Sequence, residues 1–364
     1  MEFISYRQSV YLLSMILPVT GHFLLLPTII ILSGHEAWAA ILLALPIGLL
    51  FGFTLSRLHT IYPTYSFDKM LIKTFGKITG NLLMIILMGY FFYLLLITFY
   101  GLVDFIKLFF LPETPLWVLA IPFYLVVFYA IKVGVESITR ISEALLPIII
   151  FTGSAVGIAT LHEKDYELLF PIFENGIAPM YGGILLTIAL FGEMSMILMI
   201  HLKKGVEKSK SIFFTNTLIV LFMTFMFLGT VTGVLAIFGE EFSKNLVYPA
   251  QGIIRLVSFG FIERFDIFGI TVMVFGSIIR ASILHISIYQ GVRNILPNER
   301  AKWLIHLAIG LSVIIYSFTN IHNHHHYIGT YLTKYYPLTA VISISIPVIT
   351  WVLSECKLFL NKTY

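Results

Sequence analysis

Residues 82–110 read LLMIILMGYFFYLLLITFYGLVDFIKLFF, an apolar run whose only charged residues, Asp104 and Lys107, lie near its end. A helix needs roughly 20 mostly apolar residues to cross a hydrocarbon core about 30 Å thick. The same character extends over the 364 residues, of which 58% are hydrophobic and 12% charged. Because a soluble domain has about 25% charged residues, this run predicts a membrane-spanning helix in a chain with little room for a soluble domain.

Ten runs of this kind follow one another with short connectors between them. A closed membrane barrel would instead show segments of about ten residues that alternate between apolar and polar. We therefore predict an all-α polytopic membrane protein with a single transmembrane domain over residues 1–364. The predicted spans are 9–32, 37–58, 82–110, 116–132, 144–161, 180–201, 212–238, 267–289, 303–318 and 336–353.

The basic residues predict the orientation, since lysine and arginine in short connectors mark the cytoplasmic side. An alternating ten-span arrangement places 16 of the 23 basic residues on one side, together with both ends of the chain. Both termini are therefore predicted to be cytoplasmic. The net charge of +4 is spread over these connectors and forms no contiguous basic face, so nothing indicates nucleic-acid binding.

The ten spans divide into five and five at the acidic connector 162–174. Because each half has an odd number of spans, the halves insert in opposite senses, and we predict inverted repeats over about 9–161 and 180–353. Secondary transporters with such repeats bind substrate near mid-membrane, where one helix in each half is interrupted.

The first span of each half contains residues that weaken a helix. The first span contains Leu17-Pro18-Val19-Thr20-Gly21-His22, and the sixth contains Phe191-Gly192-Glu193. Proline removes a backbone donor and glycine costs a helix about 1 kcal/mol. The two positions predict discontinuous helices that share one site, with a simple kink as the alternative at either position.

Two charged residues lie inside predicted spans at matching depth. Glu193 and Arg280 are each the fourteenth residue from the outer end of spans that run in the same direction. A lone carboxylate at this depth costs several kcal/mol, so it needs a partner or water. We predict that the two side chains are coupled across a central cavity, with an ion pair that only fixes helix packing as the alternative.

The third span has a stripe made of Tyr90, Tyr93, Ile97, Tyr100 and Asp104, at steps of three and four residues that bring them to one helical face. The stripe predicts either the wall of a ligand cavity or ordinary packing with each tyrosine hydroxyl bonded to a neighbour. Near its outer end, Asp104 is expected to pair with Lys107, about one turn away.

The segment His322-Asn323-His324-His325-His326 lies in the predicted outer connector between the last two spans. Neutral imidazoles bind zinc or copper, but this segment has no acidic or cysteine ligand nearby and no recognised ligand spacing. We therefore predict no metal site. Phosphate-binding, dinucleotide-binding and hydrolase motifs are also missing from the sequence, so we predict neither an enzyme nor a cofactor.

Short motifs in a fixed order along the chain resemble the B-subunit family of bacterial spore germinant receptors. The resemblance runs nearly end to end. The matching motifs are Tyr62-Pro63, Phe75-Gly76-Lys77, Gly89-Tyr90, Leu111-Pro112-Glu113-Thr114-Pro115, Gly134 with Arg140 and Pro147, Leu169-Phe170-Pro171 with Gly176 and Pro179, Phe191-Gly192-Glu193, Tyr248-Pro249 and Phe261-Ile262-Glu263-Arg264-Phe265-Asp266.

This resemblance implies a fold of the amino acid/polyamine/organocation transporter type. It also implies a nutrient-sensing subunit that works with A and C subunits in the spore inner membrane. The ligand site that it implies lies between the two interruptions and the third helix. Its residues would be Thr20, Gly21, His22, Tyr90, Tyr93, Leu94, Gly192 and Glu193, with Arg280 as the second intramembrane charge.

One departure from the family pattern concerns ligand preference. Relatives often have small residues where this chain has Thr20-Gly21-His22, so an imidazole can enter the pocket. Three functions stay open at this point. The chain can be a receptor subunit that binds an amino acid or similar nutrient, an active secondary transporter of small solutes coupled through Glu193, or a scaffold with a vestigial pocket.

Overall fold

The computed structural model describes residues 4–63, 65–174, 176–200, 202, 209–257, 266–295 and 301–362. Helices account for nearly all of these residues. Within the described ranges no strand is present, and extended pairing is limited to one isolated bridge between Ile4 and Leu202. The prediction of an all-α polytopic membrane protein is confirmed.

Nine helical stretches of the described chain are long and apolar enough to cross a membrane. The first stretch, Tyr6–Ile61, has 56 residues. At 1.5 Å per residue it would measure about 84 Å, far more than the roughly 30 Å of one crossing. It is divided at Gly34, whose φ of 58° ends the helix. The stretch therefore makes two crossings, which agrees with the ten predicted spans.

We label the ten crossing helices α1 to α10 in chain order. Two shorter helices lie between them: Phe67–Phe75 after α2, and Pro249–Leu256 between α7 and α8. The crossing helices are α1 (6–33), α2 (Ala37–Ile61), α3 (Lys77–Phe109), α4 (Leu116–Val133), α5 (Val135–Ala159), α6 (181–199), α7 (Ser209–Asn245), α8 (Asp266–Ile295), α9 (Lys302–Asn320) and α10 (324–362).

The beginning of α10 differs from the sequence prediction. The helix starts at His324, whereas the apolar run predicted a start at residue 336. Its first part, Tyr327–Tyr335, is a π-helix that contains threonines, tyrosines and Lys334. These polar residues kept the segment outside the predicted span. The histidine segment, expected in a connector, therefore extends into α10.

Helix α6 lies in the middle of the bundle, between α1 and α2. A Cβ at Gly183 of α6 would contact both Ile29 of α1 and Ala40 of α2, and further along α6 the ring of Phe191 approaches Gly48 of α2. Helices α1 and α2 therefore lie along α6 in opposite directions. This arrangement places the first and sixth helices side by side.

Helix contacts recur in pairs when α1–α5 are matched with α6–α10. Helix α1 packs on α5 and α7, and α6 packs on α10 and α2. Likewise α3 packs on α9 and α10, while α8 packs on α4 and α5. Two inverted repeats would produce these pairs. The repeat boundaries at about 9–161 and 180–353 stay a prediction.

The predicted cytoplasmic end of the bundle has its own ion pair. Arg57 near the end of α2 donates to Glu355 near the end of α10, and both side chains are about one third exposed (37% and 32%). The 67–75 helix joins the same two helices through a buried hydroxyl cluster of Tyr62, Thr74 and Ser354. This end is therefore held by polar contacts that are independent of the central charges.

Candidate ligand site at the helix interruptions

The first interruption lies in α1. The α-helix ends at Val19, a π-helical segment follows over Thr20–Leu25, and the α-helix resumes over Leu26–Ser33. Pro18 has no backbone N–H and cannot complete the hydrogen-bond ladder at this point. The π-helical segment begins two residues after this proline. The discontinuity predicted at residues 17–22 is thus a widening of the helix.

The second interruption lies in α6, where the α-helix Tyr181–Gly192 changes to a 3₁₀-helix over Glu193–Met199. Every residue of this 3₁₀-helix is buried. Packing requires Gly192, since a Cβ there would lie 2.7 Å from Ser343 Cβ of α10 and closer still to its Oγ. The motif Phe191-Gly192-Glu193 therefore marks the point where the helix geometry changes.

Glu193, the first residue of the 3₁₀-helix, has no exposed surface. Its Oε1 lies 2.7 Å from Arg280 Nη2 of α8 and accepts a 2.7 Å hydrogen bond from the Tyr336 hydroxyl of α10. Its Oε2 accepts from Arg280 Nε at 3.3 Å and from Thr20 Oγ1 of α1 at 3.2 Å. Three helices besides its own therefore hold this carboxylate.

Arg280 is also completely buried, and it donates from Nη1 to the Thr98 hydroxyl of α3. An unpaired charge in the hydrocarbon interior costs several kcal/mol, and an opposite charge with hydrogen-bonding neighbours offsets much of this cost. The pair and its hydroxyl partners connect α1, α3, α6, α8 and α10. We call these five residues, Thr20, Thr98, Glu193, Arg280 and Tyr336, the central cluster.

The central cluster can recognise a small polar ligand in two ways. A ligand carboxylate can compete with Glu193 for Arg280, and a ligand ammonium can compete with Arg280 for Glu193. Two buried hydroxyls, on Ser195 of α6 and Ser277 of α8, have no hydrogen-bond partner in the part of the chain that the structure describes. In sequence, they lie two residues after Glu193 and three residues before Arg280.

Several predicted site residues occupy other positions. Gly21 faces α7, where a Cβ would lie 3.2 Å from the Phe227 ring. The imidazole of His22 hydrogen-bonds to the backbone of Met226 in α7, and its Nε2 has no partner among the described residues. His22 is thus directed to α7. Leu94 is buried in α3 and contributes its carbonyl oxygen to Thr98 at 2.6 Å.

The tyrosine stripe of α3 faces the π-helix of α10. The Tyr93 hydroxyl donates to the Tyr331 carbonyl at 2.6 Å, and the Tyr327 hydroxyl donates to the Ile97 carbonyl at 2.7 Å. The rings of Tyr100 and Tyr327 lie 4.9 Å apart. Tyr90, also of the stripe, is buried, with 3% of its surface exposed. Much of the stripe is therefore a packed seam between α3 and α10.

Asp104 at the outer end of this stripe binds one residue of the α7–α8 connector and the first residue of α10. Its Oδ2 lies 2.7 Å from His324 Nδ1 and accepts a 2.9 Å hydrogen bond from the Tyr248 hydroxyl. The same hydroxyl also lies 3.2 Å from the Gly101 carbonyl. The expected pairing of Asp104 with Lys107 is replaced by these contacts, and one member of the histidine segment thereby gains a structural role.

Two members of the central cluster were missed by the sequence analysis. Thr98 follows Leu94 by one helical turn on α3, so helical spacing places it on the same face as a predicted site residue. Tyr336 is the first residue of the predicted last span, and the sequence analysis gave it no role. It lies deeper than the start of a span because the π-helix Tyr327–Tyr335 precedes it and lengthens α10.

The similarity to known proteins extends over nearly the whole chain. The spore germination protein family matches residues 3–352. Spore germination protein XB of Bacillus anthracis is 27% identical over 300 residues, 82% of each chain. Spore germination protein GerQB of Bacillus cereus is 23% identical over 338 residues, which are 91% of this chain and 90% of the relative. Spore germination protein KB of Bacillus subtilis is 22% identical over 298 residues, 79% and 78% of the two chains.

The family match covers the first nine crossing helices, α10 up to residue 352 and both interruptions, and it contains every residue of the central cluster. It agrees with the resemblance carried by the ordered motifs of the sequence. The chain belongs to the family of spore germination proteins.

Proposed function

We propose that this chain is the nutrient-sensing membrane subunit of a spore germinant receptor, and that a small nutrient such as an amino acid binds at the central cluster. The observation that carries the proposal is the fully buried Glu193–Arg280 ion pair at the interruption of α6. Structural packing needs no charge at this depth, because apolar side chains of similar volume stabilise a helix interface at least as well.

Signalling would follow from the number of helices that the pair joins. A ligand changes the equilibrium between two conformations only by binding them with different affinity. A ligand group that replaces one partner of Glu193 or Arg280 disturbs a set of contacts that joins α6 to α1, α8 and α10, and α8 to α3. The 3₁₀-helix Glu193–Met199 would transmit the change along α6.

The proposal includes partners and a location. The subunit would act with receptor A and C subunits in the spore inner membrane, with lipid around the bundle and both termini in the cytoplasm. The distribution of basic residues supports this orientation, and the relatives named above support a role in germination. Neither catalysis nor a cofactor is part of the proposal.

Spores with serine variants of the pocket test the proposal. Ser195→Ala and Ser277→Ala each remove a buried, unpartnered hydroxyl without disturbing the ion pair. We expect the half-maximal nutrient concentration for germination to rise about two- to tenfold, the loss of one hydrogen bond. The nutrients would be amino acids, sugars and nucleosides, supplied one at a time.

Ser317→Ala is the matched control, because its hydroxyl is also buried and unpartnered within the described residues but lies on α9, away from the central cluster. It should leave the half-maximal concentration unchanged. If wild type and both pocket variants respond equally to every active nutrient, at equal protein levels, the ligand does not bind at this site.

Active transport is the second candidate function, since a carboxylate beside two interrupted helices also suits a secondary transporter. The two functions differ in what the isolated chain does. Uptake of a labelled nutrient into liposomes that contain only this chain would favour transport. Binding without uptake, together with germination that depends on the partner subunits, would favour the receptor.

A further inference from the structure

The 249–256 helix joins α7 to α8 and packs on several parts of the bundle. It begins with Tyr248 as N-cap and Pro249 in its first turn. It contacts the π-helix Thr20–Leu25 and the following part of α1, and it also packs on α7 and α8. Tyr248 ties its beginning to Asp104 of α3. The helix therefore covers the α1 interruption on the predicted outer side.

Gln251 of this helix points into the bundle and has no exposed surface. Neither its Oε1 nor its Nε2 has a hydrogen-bond partner anywhere in the described chain. Space for the amide comes from Gly269 of α8, where a Cβ would lie 3.2 Å from Oε1. Buried side-chain amides nearly always have partners, because leaving a polar group unpaired is costly. The unpartnered amide of Gln251 therefore indicates a position where a hydrogen-bonding partner can bind.

The polar groups at the beginning of the helix bond to one another. The Tyr248 hydroxyl is bonded to Asp104 and Gly101, and Asp104 is also bonded to His324. These hydrogen bonds leave out the amide of Gln251, and none of the described residues is its partner. A ligand group is therefore one partner that this amide can take.

We propose that Gln251 is a ligand-binding residue, and that it selects an uncharged polar group of the nutrient, an amide or a hydroxyl. The proposal rests on the function proposed above. It adds a second contact for the same ligand, on the predicted outer side of the α1 interruption. A side-chain amide presents an acceptor oxygen and a donor N–H₂ on the same carbon. A ligand amide or hydroxyl can use both, whereas a carboxylate can use only the N–H₂ and an ammonium only the oxygen.

The test uses spores with Gln251→Met, which keeps the length of the side chain and removes both hydrogen-bonding atoms. Germination is measured against concentration for a panel of nutrients: L-asparagine, L-glutamine, glucose and inosine, which have amides or hydroxyls, and L-alanine, L-valine and L-leucine, whose side chains are apolar. For an active nutrient of the first group we expect the half-maximal concentration to rise about tenfold. For the second group it should stay unchanged.

Gln290→Met is the matched control, since Gln290 lies at the opposite end of α8 and is only partly buried. It should leave all responses unchanged. Protein levels in isolated spore membranes are compared for all variants, and Gln251→Leu serves as a second variant.

The other outcomes overturn the proposal. Unchanged responses at normal protein level mean that water or nothing occupies the site, and a uniform loss across both groups means a structural role. Absence of both Gln251 variants from the membrane, with Gln290→Met present, also assigns a structural role. If Ser277→Ala shifts the response while Gln251→Met does not, only this inference fails. If Ser195→Ala, Ser277→Ala and Gln251→Met all leave the response unchanged, the proposed function fails together with this inference.

Discussion

Glu193 Oε1 lies 2.7 Å from Arg280 Nη2, and neither side chain has any exposed surface. The two residues are 87 positions apart in sequence and belong to helices that run in the same direction. Around them, hydroxyls from α1, α3 and α10 form further hydrogen bonds with the two charges. The ion pair and its hydroxyl partners therefore link five helices.

The first prediction concerns this pair. Glu193→Gln or Arg280→Gln leaves one buried charge without its partner, which lowers the free energy of unfolding by about 3–5 kcal/mol. Either variant should accumulate poorly in spore membranes and melt at lower temperature in nanodiscs. The double variant Glu193→Gln/Arg280→Gln has no buried charge, and we expect it to regain most of the lost stability while losing the nutrient response.

Glu355→Gln is the control for the pair, because its partner Arg57 is about one third exposed (37%) and a partly solvated ion pair contributes little. Its protein level should match the wild type. Equal stability of the single and double variants at Glu193 and Arg280 would contradict the coupling of the two charges.

The second prediction concerns the Tyr336 hydroxyl. Tyr336→Phe removes a hydrogen bond to a charged acceptor, which contributes about 1.5–3 kcal/mol. Tyr327→Phe is matched in chemistry but removes a hydrogen bond to the neutral Ile97 carbonyl, worth about 0.5–1.5 kcal/mol. Thermal melting of the purified proteins should therefore rank wild type above Tyr327→Phe and Tyr327→Phe above Tyr336→Phe. The reverse order would mean that Tyr336 does not support the charge.

Most of the fold could be predicted because crossing helices are defined by apolar length, and the chain shows that length ten times. The beginning of α10 could not. Its π-helix Tyr327–Tyr335 has polar residues, and two of them, Tyr327 and Tyr331, are buried and hydrogen-bond with α3. Hydropathy values assign such residues to the solvent-exposed surface, because they take no account of a neighbouring helix that can accept their hydrogen bonds.

Some residues of the candidate site could likewise be predicted from the sequence, and others could not. The depth of Glu193 and Arg280 follows from counting residues along two helices with the same rise and direction, so their contact could be anticipated. The direction of His22 could not, because a π-helix rotates the residues that follow it relative to an α-helix. Thr98 and Tyr336 depend on how α3 and α10 are rotated against α8, which sequence spacing within one helix does not contain.

The third prediction concerns orientation, and it uses the single cysteine of the chain. Cys356 is exposed near the end of α10. With the C-terminus in the cytoplasm, a membrane-impermeant maleimide should label Cys356 in inside-out vesicles and leave it unlabelled in right-side-out vesicles. Cys356→Ser with Glu113→Cys, an exposed position in the α3–α4 connector, should show the opposite pattern. Labelling of Cys356 from the outside would reverse the proposed orientation.

The last prediction concerns the packing that positions Glu193. Gly192 and Ser343 are so close that a methyl group at residue 192 would overlap the serine side chain. Overpacking of this kind costs about 1–3 kcal/mol, and the displaced backbone also moves the carboxylate of the next residue. Gly192→Ala should therefore lower both thermal stability and nutrient response. Gly192→Ala/Ser343→Gly removes the overlapping side chain and should restore both.

Gly229→Ala provides the comparison, since a Cβ at this glycine of α7 would meet nothing within 4 Å. It should melt no lower than the wild type. The rescue separates two causes, because a loss due only to the helix propensity of residue 192 would not be reversed by a change at residue 343. If Ser343→Gly fails to rescue Gly192→Ala, the α6–α10 contact does not set the position of Glu193, and the coupling of the interruption to α10 has to be given up.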